Sequence, residues 1–284
     1  MSCSSVLVLS HGRVEQTKSV LGALRAAAQA NDAVLRFSEE EADKHGLTPS
    51  DHIQVDAGTQ GLPDLCVVLG GDGTILRALR RFAGTGVPVF AVNFGEVGFL
   101  ATVEPDAHED AFAMALGGNY EVLTLPALSI ELPGDGQQYA INDVSLQRRP
   151  GERVASLAYG VGETEVGSVR CDGLVVATPA GSTGYNLANG GPVLAWGVEG
   201  YVVSFIAPHS LTARALVVAP GDELKVHNRG QFEVDLSVDG ITVGSIEPDE
   251  VLSTRFVAAG ARLAQLPGST FYARLREKFG RLAS

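Results

Sequence analysis

Leu65-Cys66-Val67-Val68-Leu69-Gly70-Gly71-Asp72-Gly73-Thr74-Ile75-Leu76-Arg77 is the stretch that decides the fold. It opens as an uninterrupted apolar run, as expected of a strand buried on both faces of a parallel sheet. Three glycines around one carboxylate follow, and then an amphipathic pattern starts. Ile75, Leu79 and Phe82 share one helical face, while Arg77, Arg80 and Arg81 point elsewhere. A Gly-rich turn between a strand's C-terminal end and a helix N-terminus lies at the edge where open α/β sheets bind ligands. Exposed N–H groups and the helix dipole favour phosphate there. A dinucleotide fingerprint G-x-G-x-x-G begun at Gly71 fails at Leu76, and no Lys-Ser or Lys-Thr pair follows a spaced glycine to complete a Walker-type loop. A carboxylate beside phosphates is electrostatically costly unless it binds a metal or takes a proton from an attacking hydroxyl. The alternative is a plain tight turn, with its glycines needed for positive φ.

Outward from this stretch, strand and helix patterns alternate. Val6–Ser10 reads as a strand, Val14, Leu21, Leu24 and Ala28 recur at helical spacing, and Ala33–Phe37 and Val87–Val92 read as further strands. Ser38 to Gly61 is polar and poorly periodic and reads as a long loop with one short helix. This alternation implies an open parallel sheet with helices on its faces. Past Gly117-Gly118 the pattern changes to short β-rich runs: Ala127–Leu132, Ser156–Val161, Leu174–Ala177, Tyr201–Ile206, Leu224–His227, Glu233–Val238 and Val251–Val257. Turn residues such as Gly134-Asp135-Gly136, Gly162 and Asp239-Gly240 separate most of them, which suggests an all-β sandwich. The tail reverts to helix, with Phe271, Leu275 and Phe279 as a stripe and Arg274, Arg276 and Lys278 around it. Such a helix must bury its stripe, and the first domain is the expected surface. The expected organisation is an α/β domain over 1–118, an all-β domain over 119–267 and a returning C-terminal helix over 268–284.

With 284 residues, 45% hydrophobic and 19% charged, the chain has the composition of an ordinary globular protein. A formal charge of −12 argues against a general nucleic-acid or anionic-membrane binder. Cys3, Cys66 and Cys171 form no C-x-x-C pair, the six histidines show no zinc-ligand spacing, and no apolar run is long enough for a signal peptide or membrane span. A cytoplasmic protein is expected.

A second Gly-rich segment runs from Asp172-Gly173 through Thr178-Pro179-Ala180-Gly181-Ser182-Thr183-Gly184-Tyr185-Asn186-Leu187-Ala188 to Gly190-Gly191-Pro192. Small residues let a ligand approach the backbone, hydroxyls exchange hydrogen bonds, and Tyr185 offers a ring to a base. A structural turn rich in small residues is the competing reading.

Gly70–Thr74 resembles the GGDGT motif of the NAD kinase, diacylglycerol kinase and phosphofructokinase superfamily. The second segment resembles the long DG…TPTGSTAY…GGP motif of NAD kinases, which lipid kinases of the superfamily lack. Asn93-Phe94-Gly95 with Gly98-Phe99-Leu100, Asn142-Asp143 and Pro208-His209-Ser210-Leu211 extend the resemblance in the family's order, over about Val6 to Phe279. What it implies is phosphorylation of the adenosine-ribose 2′-hydroxyl of NAD to give NADP, with ATP or polyphosphate as donor. The all-β domain is then the NAD-binding one, and the acceptor pocket is expected between the two domains.

By the same resemblance, Asp72 is the catalytic carboxylate, and Gly71 and Gly73 lie beside the bound nucleotide. Asn142 and Asp143 contact the nucleotide, Asp172 lies near the nicotinamide end, and Thr183, Gly184, Tyr185, Asn186, Leu187 and Ala188 form the adenine and ribose pocket. Arg77, Arg153 and Arg170 fall where the family often places basic contacts. For each of these arginines, a solvated surface charge is the competing reading, and His209 reads as structural. Mg2+ is expected on the donor's phosphates rather than on a protein cluster, and a homotetramer or homodimer is expected. Asp143 stands for the family's usual Glu, Ala180 lacks a usual hydroxyl, Gly184 replaces Ala, and Leu125 stands near a common Arg. Two other functions compete: a lipid kinase, which calls for an apolar acyl entry, and a non-catalytic NAD-binding regulator, which has no need of Asp72.

Overall fold

The computed structural model describes residues 3–11, 14–55, 61–94, 98–100, 103, 108–132, 136–268 and 270–280, with only the backbone of Gln16. Gly95-Glu96-Val97 and the Gly134-Asp135 part of the expected turn lie outside the described residues. The chain divides into two compact units, residues 1–124 with 261–284, and residues 125–260.

Unit 1 follows the order β1 (Ser5–Ser10), α1 (Val14–Ala30), β2 (Val34–Phe37), α2 (Glu39–His45), β3 (Ile53–Val55), β4 (Leu65–Leu69), α3 (Asp72–Arg81), β5 (Pro88–Val92) and α4 (His108–Leu116). The strands form a parallel sheet in the order β5-β4-β1-β2-β3. The chain winds outward one way from β1 through β2 and β3, and the other way through β4 and β5. The switch point therefore falls between the C-terminal ends of β1 and β4, where such sheets open a crevice. β4 is buried at every residue, as its apolar run requires. Ile75, Ala78 and Leu79 seat α3 on the sheet while Arg77 and Arg81 stay exposed.

The segment read as a long loop contains both α2 and β3. The helix is specified by its ends rather than by an apolar stripe. Ser38 caps the Glu41 N–H, Gly46 closes it at φ 61°, and acidic and basic residues occupy its first and last turns.

Unit 2 contains β6 (Glu121–Leu132, entering from unit 1), β7 (Gly136–Ala140), β8 (Asp143–Arg148), β9 (Ala155–Val161), β10 (Thr164–Cys171), β11 (Gly173–Ala177), the short helix α5 (Tyr185–Ala188), β12 (Tyr201–Ile206), β13 (Leu216–Val218), β14 (Leu224–Asn228), β15 (Val234–Val238), β16 (Ile241–Ile246) and β17 (Val251–Gln265). One antiparallel sheet runs β13-β12-β11-β8-β15-β16. The other joins β10-β9-β14 to the first part of β17, which also pairs with β6, itself paired with β7. Leu146, Leu174, Tyr201 and Leu236 of the first sheet meet Leu128, Leu157, Leu224 and Leu252 of the second in one core, so the unit is a sandwich.

β17 is longer than the run expected from Val251–Val257. It carries the chain back into unit 1, where Arg262–Ala264 pair in parallel with β5. Its small-residue middle, Ala258-Ala259-Gly260-Ala261, hides the strand from a β-propensity reading. The chain then forms α6 (Phe271–Gly280) within unit 1.

Candidate functional site

The carboxylate of the opening stretch sits where the sheet order places a ligand. Gly71, extended at φ −89° and ψ 176° below zero, precedes Asp72, the first residue of α3, and supplies no side-chain cap to the helix N-terminus. None of Gly70, Gly71 and Gly73 has positive φ, so left-handed geometry is not what these glycines provide. At exposed Gly73 a Cβ would meet nothing within 4 Å, so the fold itself leaves that position open.

Half-buried Asp72 turns its side chain away from its own helix. Its Oδ2 accepts the Phe99 N–H at 2.9 Å and its Oδ1 the Leu100 N–H at 3.2 Å. Gly98 must be glycine for this approach, because a Cβ there would overlap the carboxylate. Each carboxylate oxygen keeps a further lone-pair site for another donor. Beside this edge lies a cavity of about 460 Å³ lined in part by Ser10, His11, Lys44, Thr74, Arg77 and Arg81. Glu40 and Glu41 also line it, and buried Glu41 accepts hydrogen bonds from Ser10 Oγ at 2.7 Å and from Lys44 Nζ at 3.2 Å, tying α2 to the end of β1.

The second Gly-rich segment of unit 2 is laced to the start of β8. The Thr178 N–H donates to the Asn142 carbonyl at 2.9 Å, Thr178 Oγ1 donates to the Ile141 carbonyl at 2.6 Å, and the Gly181 N–H donates to Thr178 Oγ1 at 3.1 Å. Ser182 Oγ donates to the Pro179 carbonyl at 2.7 Å, lies 3.2 Å from the Leu194 carbonyl and accepts the Leu194 N–H. Buried Asn186 donates from Nδ2 to the Ser182 and Pro192 carbonyls. These groups shape the turn. Half-buried Thr183 and Tyr185, with exposed Gly184 and Ala188, lie nearer its surface.

Asp143, 7% exposed, opens β8. Burial, then the nearby Asp239 charge, pushes its carboxyl up to about 7. The Tyr185 phenol is raised by burial and, secondarily, by the Asp143 charge, which puts both in one neighbourhood. Asp172 is held elsewhere, between β10 and β11. Its carboxylate accepts from Arg148 Nε at 2.6 Å, and this hydrogen bond keeps it below the usual carboxylate range. Arg153 and Arg170 are exposed, Arg153 on the turn before β9 and Arg170 on β10, where its carbonyl accepts the His209 N–H.

Two contributors had no role in the sequence reading. Asp239 stands at φ 48°, and its carboxylate accepts the N–H groups of Ile141 (3.0 Å), Asn142 (2.7 Å) and Asp143 (3.2 Å). Asp239-Gly240 was legible only as a turn; an Asp in left-handed backbone beside Gly is the signal it left. The Phe99 and Leu100 amides lie in the Gly98-Phe99-Leu100 motif, but nothing in a sequence shows which carboxylate an amide will hold.

Comparison with known proteins bears on both units. Residues 18–120 match the family described as ATP-NAD kinase N-terminal domain, and residues 141–262 the ATP-NAD kinase C-terminal domain. An NAD kinase of Symbiobacterium thermophilum is 38% identical over 223 residues, covering 77% of this chain and 79% of its own. One from Gemmatimonas aurantiaca is 33% identical over 282 residues, covering 96% and 94%. Among solved structures, yeast NADH kinase complexed with NADH superposes with a TM-score of 0.89 at 22% identity, covering 100% of this chain and 89% of that one. An NAD kinase from Archaeoglobus fulgidus in complex with ATP gives 0.72 at 25% identity, covering 99% and 98%. The turn that seats Asp72 and the turn laced to Asn142 both fall inside the matched regions, and with them the chain belongs to the ATP-NAD kinase family.

Proposed function

We infer that the protein is an NAD kinase, transferring a phosphoryl group from ATP to the adenosine-ribose 2′-hydroxyl of NAD to give NADP. The observation that carries the reading is the Asp72 carboxylate, fixed by two backbone N–H groups at the switch-point edge of a parallel sheet beside an uncapped helix N-terminus. Phosphoryl transfer needs positioning and charge stabilisation more than covalent chemistry. Asp72 takes the proton of the attacking hydroxyl on a lone pair left free by its two N–H partners. The N–H groups of the first turn of α3 face phosphate oxygens, and open space at Gly73 lets the nucleotide reach the backbone.

In unit 2, Asn142 and Asp143, with Thr183 to Ala188, hold the nucleoside, and Asp172 lies toward the nicotinamide. Arg77, beside the cavity in unit 1, faces the donor, while Arg153 and Arg170 contribute as exposed cations. Among the described residues no group of three or more His, Cys, Asp or Glu is arranged to hold a metal. Mg2+ carried on the donor's phosphates and water needs few protein ligands of its own. Mg2+ held there would supply neutralisation of the charge on the phosphoryl oxygens.

The three cysteines are free and buried, which supports a reducing, cytoplasmic setting. A homodimer or homotetramer completes the proposal. No helix among the described residues is long and apolar enough to cross a membrane. The test is the purified chain with NAD, Mg2+ and either ATP or polyphosphate, with NADP read by a coupled dehydrogenase. ATP-dependent NADP formation is expected, and absence of turnover with both donors would overturn the reading.

A further inference from the structure

The sequence places Arg274 among the basic residues flanking an apolar stripe, yet in the structure it is only 9% exposed. A buried guanidinium is costly unless it is hydrogen-bonded, and it then has a reason to be there. Arg274 Nη1 donates to the Phe99 carbonyl and Nη2 to Gln265 Oε1 at the end of β17. The rest of α6 grips the same residue: the Phe99 ring lies 6.0 Å from that of Phe271 and 6.2 Å from that of Phe279, and Lys278 Nζ stands 4.8 Å over it.

The Phe99 carbonyl that accepts from Arg274 and the Leu100 N–H that donates to Asp72 Oδ1 belong to one peptide group. The path from guanidinium through peptide to carboxylate is thus a chain of two hydrogen bonds, each polarising the other. Both ends of the peptide plane are fixed. The positive charge reaches Asp72 without a guanidinium occupying the lone pairs that a substrate hydroxyl must use. Burial lowers the Arg274 guanidinium to about 10, and the Asp72 charge, ahead of that of Glu277, works against the fall.

We propose that Arg274 is a positioning residue for phosphoryl transfer, holding and polarising the Phe99–Leu100 peptide so that Asp72 is aimed at the acceptor hydroxyl. The proposal rests on Asp72 acting as the base. Misplacing a reacting group by about 1 Å can cost about a hundredfold. Arg274→Gln is therefore expected to lower kcat by about tenfold to a hundredfold while the KM values for NAD and ATP change by about twofold or less. Arg274→Lys keeps the cation and one donor, and is expected to recover most of the rate.

The deciding measurement is the double variant with Asp72→Asn. A residue acting through Asp72 should cost almost nothing further once the carboxylate is gone, whereas an independent structural role multiplies the losses. If Arg274→Gln does not fold, Arg274→Lys serves in the same cycle, with a smaller loss confined to kcat and the same lack of further loss with Asp72→Asn. Unchanged kcat in the folded variant, losses in KM alone, or multiplicative losses in the double variant overturn the proposal. A near-normal rate for Asp72→Asn by itself points instead to failure of the underlying reading of Asp72.

Discussion

Asp72→Asn preserves size and shape but removes charge and basicity. Turnover with NAD and ATP is expected to fall by about 10²–10⁴, with NAD affinity little changed, since a positioned base typically contributes that much. A rate within a few-fold of the parent would make Asp72 a turn residue. Asp143 offers a test of a different kind. Its carboxyl is raised from 3.8 to about 7 in the fold, mainly by burial. The native chain therefore holds this proton more tightly than the unfolded chain. Its contribution to stability is undiminished below about pH 4, is lost as pH rises toward 7, and stays lost above. Asp143→Asn does not titrate, so its melting temperature should gain on that of the parent as pH rises from 4 to 8. Parallel melting-temperature curves for the two proteins would contradict the burial argument.

Two glycines separate what the fold needs from what a ligand needs. At Gly181 a Cβ would overlap the backbone of Asn142, which cannot move without pulling the start of β8. Gly181→Ala is expected to destabilise the protein by about 1–3 kcal/mol, the usual cost of overpacking, read as a lowered denaturation midpoint. At Gly73 nothing lies within 4 Å of a Cβ and φ is not positive, so Gly73→Ala should keep the melting temperature and raise the KM for nucleotide. The opposite pattern at either position would reverse the assignment.

The strand-turn-helix of β4 and α3 was legible because its apolar run and its stripe have unambiguous periods. By contrast, α2 is written in capping residues, and the end of β17 in small residues whose burial depends on neighbours such as Ala127. Of the candidate site, Asp72 stands out in the sequence by its unusual place among glycines. The buried position of Arg274 does not, because its partner is a backbone carbonyl about 175 residues away in sequence, and carbonyls leave no mark in a sequence.

At the scale of the whole molecule, burial shuts away the three thiols. It pushes Cys66 up to about 12 and Cys171 to about 11, and it raises Cys3 as well. Native protein is expected to resist a thiol-selective reagent near neutral pH and to release all three thiols on unfolding. Rapid reaction of the folded protein would show that at least one cysteine is accessible. Unit 2 is a single unbroken stretch of chain, whereas unit 1 is assembled from pieces on either side of it. A ribosome therefore delivers the whole sandwich before α6 exists, and the peptide that aims Asp72 waits for Arg274 to emerge. Translation halted at Gly260 should leave a protease-resistant sandwich that makes no NADP, a prediction that stalled or truncated chains can check. Interrupted synthesis then yields silence in place of a partly active enzyme.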